Sequence, residues 1–126
     1  SIKNGMAVLD GKNFIGRIVD VNFFSSRVLL ISDLNSKIPI ISEPSGVHAI
    51  LSGHGIKKPT LEYLPENHTI KDGDKIYTSG KEGIFSTGIP VGKVKIEQKI
   101  IKVELFSKLD QITFVNIDIE KKERKK

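Results

Sequence analysis

Ile70-Lys71-Asp72-Gly73-Asp74-Lys75-Ile76 restates Ile2-Lys3-Asn4-Gly5-Met6-Ala7-Val8, and Val91-Gly92-Lys93-Val94 restates Ile15-Gly16-Arg17-Ile18 in the same order. A third pair follows, Val28 to Leu34-Asn35 and Val103 to Leu109-Asp110, each an apolar run closed by Leu and then Asn or Asp. The offsets are 68 residues (2 to 70), 76 (15 to 91) and 75 (28 to 103), so the second copy carries an extra loop of about eight residues between Ile76 and Val91. Self-similarity in fixed order is the mark of two related supersecondary units.

Both copies read as strands. Gly or Pro interrupts most windows long enough for a helix, and β-branched residues dominate the apolar runs. Asp10-Gly11, between Ala7-Val8-Leu9 and Phe14 to Val19, is a hairpin signal, because Gly accepts the positive φ of a tight turn. Strands are expected near Ser26 to Ser32, Lys37 to Ser42, His48 to Leu51 and Thr60 to Leu64. Pro39 has no N–H for a ladder, which argues for an edge or a bulge there.

In the second half Asp74 to Ser79, Val91 to Gln98, Ile101 to Phe106 and Gln111 to Glu120 are strand candidates. Lys93, Lys95 and Glu97 alternate with Val94 and Ile96, as on a sheet with one buried and one wet face. In the last candidate Phe114 and Val115 belong to opposite parities, so a bulge is expected between them.

Short strands, regular turns and the repeat together predict an all-β chain of two small β-barrels of related topology with little helix. The expected division is a first barrel over 11–66 and a second over 67–120, completed by 1–10 crossing over, with 121–126 a basic tail. The chain begins with Ser1 and shows no signal peptide, which suggests a piece of a longer protein.

Composition narrows the chemistry. With 126 residues, 38% hydrophobic and 28% charged, the chain is globular, and no apolar run approaches the roughly 20 residues that span a bilayer. It has no cysteine, so disulfides, thiolate metal sites and a thiol nucleophile are excluded. The net charge is +5, but Glu120 to Lys126 supplies +3 of it, leaving a nearly neutral body. With eight aromatic residues there is no basic, aromatic-rich face of the kind that stacks bases, and no nucleic-acid partner is expected.

His48, His54 and His68 are scattered, and His54, in Ser52-Gly53-His54-Gly55, lacks neighbouring carboxylates, so no metal site is expected. His54, Asp72 or Asp74, and Ser79 stand in the order of a protease triad, yet Ser79-Gly80-Lys81-Glu82-Gly83 offers no nucleophile context, and no catalytic residue is assigned. Gly80, Gly83, Gly88 and Gly92 could suggest a phosphate loop, but the segment runs into extended Ile89-Pro90-Val91 instead of opening a helix. The glycines are expected to serve tight turns and close backbone approach. Phe23-Phe24, in a short loop, is the one adjacent aromatic pair, a candidate partner contact or a plug for the barrel mouth.

Thr78-Ser79-Gly80-Lys81-Glu82-Gly83-Ile84-Phe85-Ser86-Thr87-Gly88-Ile89-Pro90-Val91-Gly92 resembles the signature segment of the bacterial rod shape-determining MreC family. Gly5 to Val8, Ile15 to Val19, Ser26 to Asp33 and Asn35 to Pro39 are similar too, so the likeness runs from about Gly5 to Val115. Ser86 departs from it, since the family commonly has proline after the phenylalanine. The resemblance implies two small barrels forming a periplasmic region, with a membrane helix and coiled coil upstream. It implies a scaffold of the cell-elongation machinery, without enzymatic activity or cofactor, that self-associates and engages MreD, the class B penicillin-binding protein and the MreB-linked complex.

On this reading Gly16, Gly80, Gly83, Gly88, Pro90 and Gly92 form the structural motif, and Phe23, Phe24 and Phe85 are the candidate partner contacts. The alternative is a membrane-fusion type of transport adaptor, suggested by the turn Ile70 to Asp74; a small-molecule- or nucleic-acid-binding barrel is the third reading.

Overall fold

The structure is a computed structural model that describes residues 2–81, 87–111 and 116–117. Among the described residues ten strands follow one another: β1 Ala7–Asp10, β2 Asn13–Val21, β3 Ser26–Leu30, β4 Lys37–Glu43, β5 His48–His54, β6 Lys57–Glu62, β7 Lys75–Thr78, β8 Pro90–Glu97, β9 Ile100–Leu105 and β10 Asn116–Ile117. A 3-10 turn at Leu109–Gln111 precedes β10. The chain is all-β, as its turn chemistry and β-branched runs dictate. The order β4-β5-β6-β9-β8-β7 closes into a barrel, and β10-β1-β2-β3 forms a four-stranded sheet. A second closed barrel is not seen among the described residues; the other unit is this sheet. The expected bulge at Phe114–Val115 lies outside the described residues.

The repeat is visible atom by atom. In the first copy Gly5 N–H donates to Ile18 O (2.7 Å) and Ile18 N–H to Met6 O (2.9 Å); in the second Gly73 N–H donates to Val94 O (2.8 Å) and Val94 N–H to Asp74 O (2.7 Å). Ile31 N–H reaches Ile15 O and Phe106 N–H reaches Val91 O, both at 3.0 Å. Even the ladder irregularities correspond. Pairing passes from Val8↔Gly16 to Leu9↔Phe14 in one copy, and from Ile76↔Gly92 to Tyr77↔Pro90 in the other. Each is a bulge with one extra residue, Ile15 or Val91, which sharpens the bend of the strand that carries it.

The two copies also exchange a strand. β4 follows the first copy but pairs with β7 of the second, with Ile41 opposite Tyr77 and Ser42 opposite Ile76. β10 follows the second copy but pairs with β1 of the first, with Asn116 opposite Leu9 and Ile117 opposite Val8. The N-terminal strand thus meets the last described strand, and strands from both halves of the sequence share one barrel.

This exchange welds the core. Ala7, Leu9, Phe14 and Ile31 of the first copy pack in one cluster with Ile38, Ile40, Leu51, Ile76, Ile89, Val91, Val94 and Val103. A smaller cluster of Val8, Ile15 and Ile18 sits under the sheet, against Met6, Val28, Leu109 and Ile117. At about 1.5–3 kcal/mol for each fully buried large aliphatic or Phe side chain, these residues supply the main force holding the two units together.

Pro39 corrects the edge expectation. It is buried in a barrel strand opposite Ile50, with a neighbour on the other side as well. Its missing N–H is tolerated because the β4·β7 ladder begins one residue later, at Ile40↔Thr78, and Pro39 O still accepts from Ser79 N–H (3.2 Å).

Candidate interaction surface

The candidate contact residues Phe23 and Phe24 form the tip of the β2–β3 hairpin, where Asn22 N–H donates to Ser25 O (2.7 Å). Both rings are 93% exposed, and they stack edge to face with centroids 4.6 Å apart. The barrel-mouth alternative is therefore corrected: neither ring covers a core. An Arg27–Asp20 ion pair at 2.7 Å braces the hairpin just behind the tip. Two large apolar side chains held in water by a tight turn bury nothing in the core, which leaves them as candidates for a contact.

The signature segment is built around a hydrogen-bonded neck. Thr78 N–H donates to Ile89 O (2.9 Å), Gly88 N–H to Thr78 O (2.7 Å), Ile89 N–H to Thr78 Oγ1 (3.0 Å), and the Thr87 hydroxyl to Ser79 O (2.6 Å). Gly80 and Gly88 take the left-handed conformation (φ 70° and 82°) that closes the neck on both sides. A Cβ at Gly80 would stand 2.9 Å from Thr87 Cβ. At Gly16 and Gly92 the obstacle is the backbone of the next strand. Pro90 opens β8 opposite Tyr77. Gly83 and Phe85 lie outside the described residues.

The protease-like order does not converge on a site. His54 Nε2 lies 2.9 Å from Thr60 Oγ1, Asp72 Oδ1 accepts from Ile96 N–H (2.7 Å), Asp74 Oδ2 from Lys71 N–H (3.1 Å), and Ser79 Oγ from Lys81 N–H (3.2 Å). Asp74 and Ser79 are spent on their own turns, Asp72 on the β8 backbone and His54 on a neighbouring strand. Asp74 has a counterpart in the repeat: Met6 Sδ receives Lys3 N–H at 3.3 Å where the Asp74 carboxylate receives Lys71 N–H. Among the described residues no three His, Asp or Glu side chains gather as metal ligands.

Other exposed apolar groups escaped the sequence reading. Ile56 at the β5–β6 turn is fully exposed, Tyr63 is 80% exposed at a positive φ of 59°, and Leu34 is 70% exposed. Ile56 edges a cleft of about 680 Å³ whose floor is Pro59, Val103, Leu105 and Leu109 and whose rim carries Lys58. Nothing in their spacing separates them from core residues, since isolated apolar side chains in short loops have no period.

Fold and surface together define a class: an all-β module whose conspicuous features are a strand-exchanged barrel and an apolar hairpin tip. The comparisons with known proteins name it. Residues 1–118 match the family described as rod shape-determining protein MreC, barrel core, and the chain belongs to that family. It is 38% identical over 114 residues to the cell shape-determining protein MreC of Caulobacter vibrioides, covering 90% of this chain and 33% of that one. The crystal structure of MreC from Pseudomonas aeruginosa superposes with a TM-score of 0.80 at 29% identity, over 92% of this chain and 80% of that one. A solved complex between the penicillin-binding protein PBP2 and MreC from Helicobacter pylori contains the same fold, at a TM-score of 0.71 and 18% identity over 88% of this chain and 74% of that one. The chain spans about a third of the length of the curated relatives it matches.

Proposed function

We propose that this chain is the barrel core of a non-catalytic, extracytoplasmic scaffold that organises peptidoglycan synthesis during cell elongation. The observation that carries the reading is the family match over residues 1–118. The relative solved together with PBP2 supports a class B penicillin-binding protein as one partner, and the exposed Phe23–Phe24 tip gives such a partner an apolar anchor. Self-association, contact with MreD and the MreB-linked complex, and a membrane helix upstream of Ser1 that holds the core in the periplasm belong to the same proposal.

A scaffold of this kind acts through unequal affinity for the states of its partner. Its mechanism resides in surfaces, for which the hairpin tip and the residue Phe85 are the candidates. The test is titration calorimetry of the chain against the periplasmic region of a class B penicillin-binding protein. Saturable binding is expected. No detectable heat or co-sedimentation at about 100 μM of each, where even a weak complex with Kd near 10 μM would form, would reject the partner assignment.

A further inference from the structure

The repeat shows where the first unit lacks a neighbour. In order, β10-β1-β2-β3 corresponds to β4-β7-β8-β9, and in the barrel the outer edge of β9 is covered by β6, with Thr60 opposite Lys102. β3 is the counterpart of β9, and among the described residues no strand covers its outer edge.

The ladder fixes which atoms that edge presents. Ile31 N–H bonds Ile15 O, so Ile15/Ile31 and Arg17/Leu29 exchange bonds, and the pairs Ile18↔Val28 and Gly16↔Leu30 turn the N–H and C=O of Val28 and Leu30 outward. Beyond the register shift, the Asn22 N–H to Ser25 O bond sets Ser26 outward as well. Leu30 O is engaged by Asp33 N–H (2.9 Å), so the outward donors and acceptors are concentrated at Ser26 and Val28, with Leu30 N–H.

Exposed apolar side chains lie on both sides of Val28. The 93%-exposed pair Phe23–Phe24 lies four and five residues before it; Leu30, 37% exposed, and Leu34, 70% exposed, lie two and six residues after it. An antiparallel copy of the same strand would bring the tip of each hairpin toward the Leu30–Leu34 stretch of the other.

We propose that a second copy of this chain occupies this edge, its β3 pairing antiparallel with β3 about a twofold axis through Val28. Val28 then exchanges both backbone bonds with Val28 of the second copy, and Leu30 N–H of each copy reaches Ser26 O of the other. The contact is isologous, as twofold symmetry requires, and it adds strands as edge-to-edge recognition does elsewhere. It deepens the self-association part of the function proposed above by naming its surface.

The full 126-residue chain is tested by sedimentation over a concentration series, beside Val28→Pro, which removes the outward N–H without breaking a bond to β2. A concentration-dependent dimer is expected, with the dissociation constant raised at least about tenfold in Val28→Pro. The protein has no cysteine, so Val28→Cys gives a clean second measurement. A hydrogen-bonded antiparallel pair sets Cα atoms about 5.5 Å apart, within disulfide reach. Val28→Cys should oxidise to a covalent dimer faster than Lys95→Cys on the exposed barrel face, and this comparison decides the matter if the proline variant fails to fold. A dimer unaffected by Val28→Pro, or equal rates for the two cysteine variants, would overturn the edge contact while leaving self-association by another face. A chain that stays monomeric at millimolar concentration yet binds the transpeptidase would overturn the dimer and leave the scaffold reading standing.

Discussion

Gly16 and Gly92 meet the same obstacle in the two copies of the repeat. A Cβ at Gly16 would stand 2.6 Å from Leu29 O and 3.1 Å from Val28 Cγ1; at Gly92 it would stand 2.3 Å from Glu104 O and 2.9 Å from Val103 Cγ1. Both follow a bulged residue on a middle strand, and both let the third strand close over that bulge. Alanine at either position must push backbone aside, because the blocking atom is a carbonyl oxygen and no rotamer change can relieve it. We expect Gly92→Ala to cost about 1–3 kcal/mol, lowering Tm by roughly 3–15 °C in thermal denaturation. Gly16→Ala should cost less, since its contacts are longer and β3 is an outer strand free to move. Equal melting of Gly92→Ala and the parent would show that the bulge geometry is not what holds this glycine.

Thr78 and Thr87 separate two roles in the signature neck. Thr78 is fully buried and its Oγ1 accepts from the N–H of buried Ile89, so Thr78→Val strands a donor away from water. That substitution should cost about 1–3 kcal/mol. The Thr87 hydroxyl is exposed and donates to Ser79 O, which water can replace. Thr87→Val should therefore cost less than about 1 kcal/mol, and chemical denaturation of the two variants side by side checks the order. A larger loss for Thr87→Val would reverse this assignment.

Local chemistry was legible in the sequence, and connection between distant parts was not. Asp10-Gly11 announces the first hairpin, and the alternation of Lys93, Val94 and Lys95 announces β8, because both signals lie within a few residues; Ile96, expected on the buried face with Val94, is instead exposed at the strand's end. The repeat offset of 68 residues aligned Gly5 with Gly73, and the structure gives the two glycines corresponding hydrogen bonds. Pro39 misled because a ladder ends beside it, a fact fixed by the position of Ser79 forty residues away. The pairing of β4 with β7 and of β10 with β1 is likewise a long-range choice that no window of sequence encodes. At the surface, Phe23-Phe24 stood out as an adjacent pair, whereas Leu34 and Ile56 read as ordinary apolar residues until their exposure was known.

The β8–β9 hairpin carries a weak acid-sensitive contact. Lys102 Nζ lies 3.1 Å from Glu97 Oε1, and that hydrogen bond, with the nearby charges of Lys58, Lys102 and Lys95, holds the Glu97 carboxyl below its ordinary value. A carboxyl whose folded pKa is depressed adds stability above its unfolded pKa and loses it as pH falls through the folded one. Because the group is open to solvent, the effect is small and screened by salt. Comparing melting temperatures of the parent and Glu97→Gln should show a slight gap at neutral pH that closes on acidification below the carboxylate range. A gap that widened in acid would contradict the sign.

The hairpin tip offers the sharpest separation of folding from binding. Phe23 and Phe24 touch each other and sit 93% in water, so replacing both with Ser removes a contact surface without opening a cavity. Exposed substitutions of this kind usually change stability by no more than about 0.5 kcal/mol, and losing an edge-to-face ring pair adds at most about 0.5–1.5 kcal/mol. We expect the double variant to melt within roughly 10 °C of the parent and to keep its β-sheet circular dichroism. Its affinity for the transpeptidase, or for itself, should fall about tenfold or more, the loss typical of an aromatic anchor. Phe85→Ser, assayed in parallel, reports whether the signature segment contributes to the same contact. Preserved binding in the double variant would remove the tip from the interaction surface, and a collapse of melting would instead make these rings part of what holds β2 and β3 together.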